Sequence, residues 1–299
     1  MPAMSDNLRG ALLMMAGMAA FTVNDTFLKA LADELPLMQA IFLRGVATTA
    51  FLYGLARSMG ALRFDLPRRD WGLVLLRTAG EVAAAWFFLT ALFNMPLANV
   101  TAILQSLPLT ITLAGAVFLG EPVGWRRFAA IGIGFAGVLL IVRPGPEGFN
   151  LYALYALISV ACVTLRDLAT RRLSPAAPSL TVAVVGSAGV TLFGAAGTLT
   201  GAWAPISATA AWQLSGATVF VILGYLCSIL VMRAGDLGFV ALFRYTGLVW
   251  ALLLGLAVFG HWPQPLTLLG AAIVAATGIF TLWRERRLAR AATVPLRVR

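Results

Sequence analysis

Glu81 and four arginines, Arg44, Arg77, Arg166 and Arg244, stand inside long apolar runs. Glu81 lies about ten residues into the run 71–92, near mid-depth if that run is a membrane helix. A charge there costs roughly 2.5–3.5 kcal/mol on insertion scales, and such residues usually pair or face a cavity. Arg44 is about eight residues in from the end of the run 36–57, so at 1.5 Å per residue the two depths differ by about 5 Å, within an arginine's reach. Two readings stay open: a buried Arg44–Glu81 strut, or a Glu81 that faces a cavity, where it binds a cationic group or exchanges a proton. Arg77, one turn before Glu81, and Arg244, about six residues into the run 238–259, either snorkel to the nearer interface or bind a carboxylate or phosphate.

A second group is a repeated pattern. Thr22, Asp25 and Lys29 in "AAFTVNDTFLKAL" return as Thr164, Asp167 and Arg171 in "ACVTLRDLATRRL". An acid four residues before a base is the favourable order on a helix. Asp25–Lys29 and Asp167–Arg171 therefore read as helix-end ion pairs, or as gates that each seal one mouth of a pathway. Arg166 replaces Asn24 beside the aspartate and is placed to reach inward.

Aromatic side chains also fall at depth: Trp86, Tyr225, Tyr245 and Trp250. Tryptophan and tyrosine usually prefer the membrane interfaces, where Trp71, Trp125, Trp212, Trp262 and Trp283 are expected. The deep rings either pack toward lipid or, with Gln105 and Ser106, line an aromatic, hydrogen-bonding pocket. Pro108 frees backbone carbonyls nearby, which is tolerated where they line a cavity.

The elements that must position these groups follow from composition. The 299 residues are 60% hydrophobic and 11% charged, with mean hydropathy +0.89. Soluble domains are roughly 45–50% apolar and about 25% charged, so lipid is the expected solvent. Apolar runs of the length needed to span a bilayer number ten: 8–28, 36–57, 71–92, 96–118, 125–142, 151–170, 178–200, 212–232, 238–259 and 265–283. The first run is longer than a signal-peptide core and lacks a small-residue cleavage site, so it reads as a retained helix. Placing the N-terminus in the cytoplasm puts sixteen of the 22 basic residues on that side, two on the other and four within spans. That bias orients the chain with both termini cytoplasmic, as a multi-pass protein of the cell (inner) membrane. The net charge of +10 sits in short loops and the tail, with no basic face for nucleic acid. Cys162 and Cys227 lie inside apolar runs and offer neither a disulfide framework nor a metal site.

The two halves also match at Pro36/Pro178, Gly115/Gly255, Gly120/Gly260 and Gly137/Gly278. The expected fold is an all-α membrane protein of ten transmembrane helices in two inverted five-helix repeats, 8–142 and 151–283, with a basic tail at 284–299. Five spans per half force opposite orientations, a recurrent plan of secondary transporters. Spans 5 and 10 carry small residues, Ala130/Gly134 and Ala271/Ala275, and read as scaffold or as the face of a homodimer.

With the five-plus-five plan, Gly120-Glu121 closing span 4, Arg44 in span 2 and glycine-rich spans 5 and 10, nearly the whole chain resembles the EamA branch of the drug/metabolite transporter superfamily. The second half departs from that pattern, with Gly260-His261 where Gly-Glu would recur. The resemblance implies a carrier of small organic metabolites that uses no ATP, with spans 1, 3, 4, 6, 8 and 9 around a central cavity. Riboflavin and amino acids, flat or zwitterionic molecules, are the first candidates. The competing readings are a lipid flippase, another polytopic protein without a transport role, and a membrane-embedded enzyme. The enzyme reading is weak. His261, the only histidine, lies in a loop, and HExxH, GxSxG and GxGD are absent from the chain. No cofactor motif is present. A lipid cargo predicts a laterally open groove, whereas a metabolite predicts an enclosed cavity.

Overall fold

The computed structural model describes residues 6–121, 123–143, 150–174, 177–201, 203–231 and 237–292. The expected positions of Arg233 and of tail residues 293–299 lie outside these. Twelve helices are present among the described residues: α1 (Asp6–Ala30), α2 (Leu37–Ser58), α3 (Arg68–Asn94), α4 (Leu97–Leu104), α5 (Leu107–Leu119), α6 (Trp125–Val142), α7 (Leu151–Arg171), α8 (Ser179–Thr200), α9 (Ala208–Val231), α10 (Leu237–Val240), α11 (Thr246–Phe259) and α12 (Pro265–Ala292). Single 3₁₀ turns follow α1, at Leu31–Asp33, and precede α11, at Ala241–Tyr245.

Helices are the expected answer to apolar runs in lipid, because only there does each segment satisfy its own backbone. Proline marks many of their starts, where its missing N–H costs nothing. Pro36, Pro67, Pro96 and Pro178 immediately precede α2, α3, α4 and α8, and Pro265 opens α12. The Asn150 side chain caps α7 by accepting from the Tyr152 N–H at 2.9 Å.

Nine spans among the described residues are long and apolar enough to cross a membrane. They include Leu97–Leu119, which joins α4 and α5 across a break at Gln105–Ser106, with Pro108 in the first turn of α5. The expected second span, α2, is not among the nine although it is 22 residues long. Gln39 and Arg44 dilute its apolar character, and it is partly covered by α8.

Four helix pairs make the main packing contacts: α1 with α9, α3 with α7, α2 with α8 and α6 with α12. Lesser contacts link α3 with α8, α2 with α9, α1 with α11 and α5 with α7. Small residues bring these backbones together. An added methyl on Gly137 of α6 would meet the Gly270 carbonyl of α12 at 2.9 Å. On α2, the Thr49 hydroxyl bonds Ser187 at 2.7 Å and Thr191 at 3.0 Å on α8. Fully buried Val100, Ile103, Ala156 and Val274 form one apolar core, and Leu28, Leu31, Leu92 and Ala251 belong to another. Outside these, Phe118, Leu192, Leu199 and Trp212 are each more than two-thirds exposed. Apolar surface on this scale suits lipid contact.

Candidate functional site

Arg77 and Glu81 lie one turn apart on α3, and the guanidinium meets the carboxylate at 2.6 Å with both side chains mostly buried. Arg77 also approaches the Val182 carbonyl of α8 at 3.4 Å. The pair fits here because α8 presents Gly186 opposite, where a methyl group would overlap Glu81 Oε2 and Arg77 Nη1. The base-before-acid order is the weaker one on an isolated helix. Inside a membrane, mutual neutralisation outweighs that preference.

Arg44 forms no strut to Glu81. It donates to Asn24 Oδ1 of α1 at 3.2 Å, and the Asn24 amide donates in turn to Asp25 at 2.9 Å. Arg44 and Glu81 nevertheless share a space of about 210 Å³ with Arg166 of α7 and Tyr225 of α9. Thr48, Ser159 and Ser187 add hydroxyls to its lining, and Phe88, Leu104, Val163 and Val221 add apolar surface. Tyr225 stands within electrostatic reach of Glu81, Arg44, Arg166 and Arg77, so these charges converge on one phenol. The lining comes from α2, α3, α4, α7, α8 and α9. Spans 2 and 7 therefore contribute where spans 1 and 9 were expected, because the close α2–α8 pair carries Arg44, Thr48 and Ser187 inward.

The repeated aspartates do not form the expected helix-end pairs. Lys29 donates to the carbonyls of Leu92 at 3.0 Å and Met95 at 2.6 Å, closing the end of α3. Its ammonium also stands 5.7 Å from the Phe259 ring centre. Asp167 takes its neighbour Arg166 through two nitrogens, at 2.8 and 2.9 Å. Arg171 instead meets Glu121 at 2.8 Å, while Arg172 donates to the Phe118 carbonyl at 3.0 Å.

The other candidates are placed elsewhere. Trp86 packs against Phe87 and Tyr155, with ring centres at 4.7 and 5.9 Å. Tyr245 is buried against Gly278 of α12, and Trp250 has a buried Nε1 with no hydrogen-bond partner among the described residues. Gln105 is buried at the α4–α5 break, its amide facing Gly247 of α11. Arg244 lies within electrostatic reach of Asp167 and Arg166 without lining the cavity. Among the described residues no cluster of His, Cys, Asp or Glu could hold a metal ion.

Sequence reasoning missed Thr48, Ser159, Ser187 and Gly186. Hydroxyls and glycines are common in membrane helices, and nothing in their local pattern separates these from the many that face elsewhere.

A second and larger space of about 640 Å³ lies between α3, α5 and α7. Leu, Val, Phe and Ala dominate its walls, and the outer ones, Leu76, Val117, Phe118 and Leu165, are exposed. Thr110 and Thr164 stand on its lining and satisfy each other at 2.8 Å.

The EamA-like transporter family model matches residues 8–143. A riboflavin transporter of Rhizobium johnstonii is 28% identical, aligned over 94% of this chain and 93% of its own length. A riboflavin transporter of Vibrio cholerae serotype O1 is 26% identical, over 95% of this chain and 96% of its own. One crystal structure superposes with a TM-score of 0.66 over 94% of this chain and 98% of that one. At 18% identity, that likeness is one of fold.

Proposed function

We propose that this chain, a member of the EamA-like transporter family through residues 8–143, is a secondary transporter of a small organic metabolite. It works in the cell (inner) membrane without ATP and without catalysing a reaction. The observation that carries this reading is the cavity where Arg44, Glu81, Arg166 and Tyr225 meet inside an otherwise apolar helical body. Charges are retained at such depth where they serve a pathway or a cargo. Riboflavin enters as a candidate through the two full-length relatives named for it, and amino acids through the mixture of charged and aromatic groups around the cavity.

The mechanism in this reading is alternating access between residues 8–142 and 151–283, acting as two inverted repeats of five spans with both termini cytoplasmic. The packing supports that division. Exchanging α1 with α7, α2 with α8, α3 with α9 and α6 with α12 turns the α1–α9 contact into α7–α3 and leaves α2–α8 and α6–α12 unchanged. The turns after α5 and α11 agree as well. Gly120 and Gly260 adopt φ 68° and 66°, and the next N–H returns to Gly115 and Gly255 respectively.

The apolar groove between α3, α5 and α7 is the observation that favours a lipid cargo. Its walls offer a headgroup little polar lining: the Thr110 and Thr164 hydroxyls bond each other, Ser106 donates to the Ile103 carbonyl and Arg172 to that of Phe118. The cavity lined by Arg44, Glu81, Arg166 and Tyr225 is the more polar of the two and supports the metabolite reading better. Counterflow in proteoliposomes tests it, with a panel of riboflavin, aromatic and basic amino acids and S-adenosylmethionine. Saturable exchange of one member is expected. Folded protein that exchanges none of them, yet scrambles labelled phospholipid, would replace this reading with the flippase.

A further inference from the structure

The groove between α3, α5 and α7 is built for hydrocarbon, and not for water. Its polar floor is already satisfied: Thr110 and Thr164 bond each other at 2.8 Å, and Ser106 donates to the Ile103 carbonyl at 2.7 Å. A buried water needs two to four polar partners, which the leucine, valine, phenylalanine and alanine walls do not supply. α7 packs against both α3 and α5, and short side chains on the lining, Ala161 of α7 and Ala114 of α5, leave the space between them unfilled. Leu76, Val117, Phe118 and Leu165 on its rim are exposed, so the groove opens sideways to the bilayer.

Length and charge narrow what that hydrocarbon belongs to. From Leu157 to Leu168 the α7 wall runs about 16 Å at 1.5 Å per residue, close to half of a ~30 Å hydrocarbon core. That is the depth of one leaflet, which an acyl chain fills. Arg172 stands on the lining one turn beyond Leu168, and Arg69 stands one turn before Leu73 on the same face of α3. The Asp70–Ser174 and Arg172–Phe118 contacts bring the start of α3 and the ends of α5 and α7 together, so both arginines flank one mouth. Of the acids there, Asp70 is buried and accepts from Ser174, and Glu121 is paired with Arg171. Neither Arg69 nor Arg172 meets a carboxylate among the described residues. Arg172 gives one nitrogen to the Phe118 carbonyl and keeps the other donors of its fork. Basic residues at the end of a groove between membrane helices suit anionic headgroups.

We infer that this groove is a binding site for an anionic phospholipid of the adjoining leaflet, with one acyl chain along α7 and the phosphate between Arg69 and Arg172. The lipid is held in place and not carried, since the floor offers its headgroup no open partner. α3 and α7 also carry Glu81 and Arg166, so the bound chain braces two of the helices that line the polar cavity.

Native mass spectrometry of the full chain tests this. The chain is released from detergent micelles containing equal phosphatidylglycerol and phosphatidylcholine with the same acyl chains, and the lipid that stays bound is counted. One phosphatidylglycerol is expected to be retained in about tenfold or greater preference, since each arginine near the headgroup contributes roughly fivefold. The double variant Arg69→Gln/Arg172→Gln is expected to keep a lipid and lose the preference. Ala161→Phe fills the groove and is expected to lose that lipid. Ala114→Phe fills it from α5 and stands in if the first variant does not fold. Leu192→Phe, on the exposed face of α8, is expected to change nothing. Equal retention of both lipids by the parent chain would overturn the inference, as would a preference that survives removal of both arginines. So would bound lipid that Ala161→Phe and Ala114→Phe leave in place, or that Leu192→Phe removes equally. A lipid-free dimer that Ala161→Phe takes apart would overturn it too, and would make the groove a face between copies of this chain.

Discussion

Lys29 near the end of α1 and Arg171 at the end of α7 hold matching places in the repeated pattern, yet they bind different things. Arg171 finds the Glu121 carboxylate at 2.8 Å, and both side chains remain more than two-fifths exposed. Lys29 finds the Leu92 and Met95 carbonyls, two of the acceptors that a helix end leaves without an internal partner. The neighbouring turns are alike, with left-handed Gly120 and Gly260 and the same backbone closure. What differs is the next side chain, Glu121 in one turn and His261 in the other. The backbone plan repeats because glycine geometry sets it, while the ion pairing follows from one side chain. Charge pairs here therefore have to be ranked by their surroundings.

That ranking puts the enclosed Arg77–Glu81 pair first. Glu81→Gln leaves Arg77 without its counter-charge in the membrane interior, and removing one partner of a buried pair costs about 3–5 kcal/mol. A large drop in melting temperature in detergent is expected, together with loss of transport. A melting temperature close to that of the parent protein would mean that the pair is hydrated and ranks with Glu121–Arg171.

Lys29→Met comes next. It removes two charge-assisted hydrogen bonds at the end of α3, each of a kind worth about 1.5–3 kcal/mol. Destabilisation of that order is expected, with Lys29→Arg restoring part of it. If Lys29→Met melted like the parent, the contact would not be holding α1 to α3.

Much of this fold is legible in the chain. Pro36, Pro67, Pro96 and Pro178 write the starts of four helices, and apolar length writes most of the spans. Arg44, Glu81 and Tyr225 are visible as costly groups at depth, Arg166 as a residue beside a helix-end aspartate placed to reach inward, and the four converge on one cavity. Their partners are not visible. Glu81 takes Arg77 from its own helix because Gly186 on α8 leaves room, a fact of register between helices whose facing residues, such as Arg77 and Val182, are 105 apart in sequence. Deep aromatics mislead for a related reason. Trp86 and Trp250 are equally unusual in sequence, but which way each ring faces is decided by neighbours such as Tyr155.

Gly186→Ala probes that register directly. The added methyl overlaps the flexible ends of Arg77 and Glu81, so the pair must shift. A severalfold fall in transport with a modest loss of stability is expected, because overpacking typically costs about 1–3 kcal/mol and these ends can give way. Unchanged transport would show that the position of the pair does not matter to the cargo.

The exposed pair ranks below these. A double-mutant cycle of Glu121→Ala and Arg171→Ala is expected to give a coupling of about 0.2–1 kcal/mol, as for solvent-exposed pairs, and smaller still in high salt. The finest test moves that pair into the other half. His261 follows Gly260 as Glu121 follows Gly120, and its ring stacks on Phe259, the ring beside Lys29. His261→Glu places an acid where the first half has one. If the two ends are equivalent beyond their backbone, a cycle of His261→Glu with Lys29→Met acquires a coupling of the same order. Lys29 would then divide its ammonium between that acid and the α3 carbonyls, and the cost of Lys29→Met would rise. A coupling within error would mean that Lys29 is committed to Leu92 and Met95 too firmly to turn, and that the two ends are alike in backbone alone.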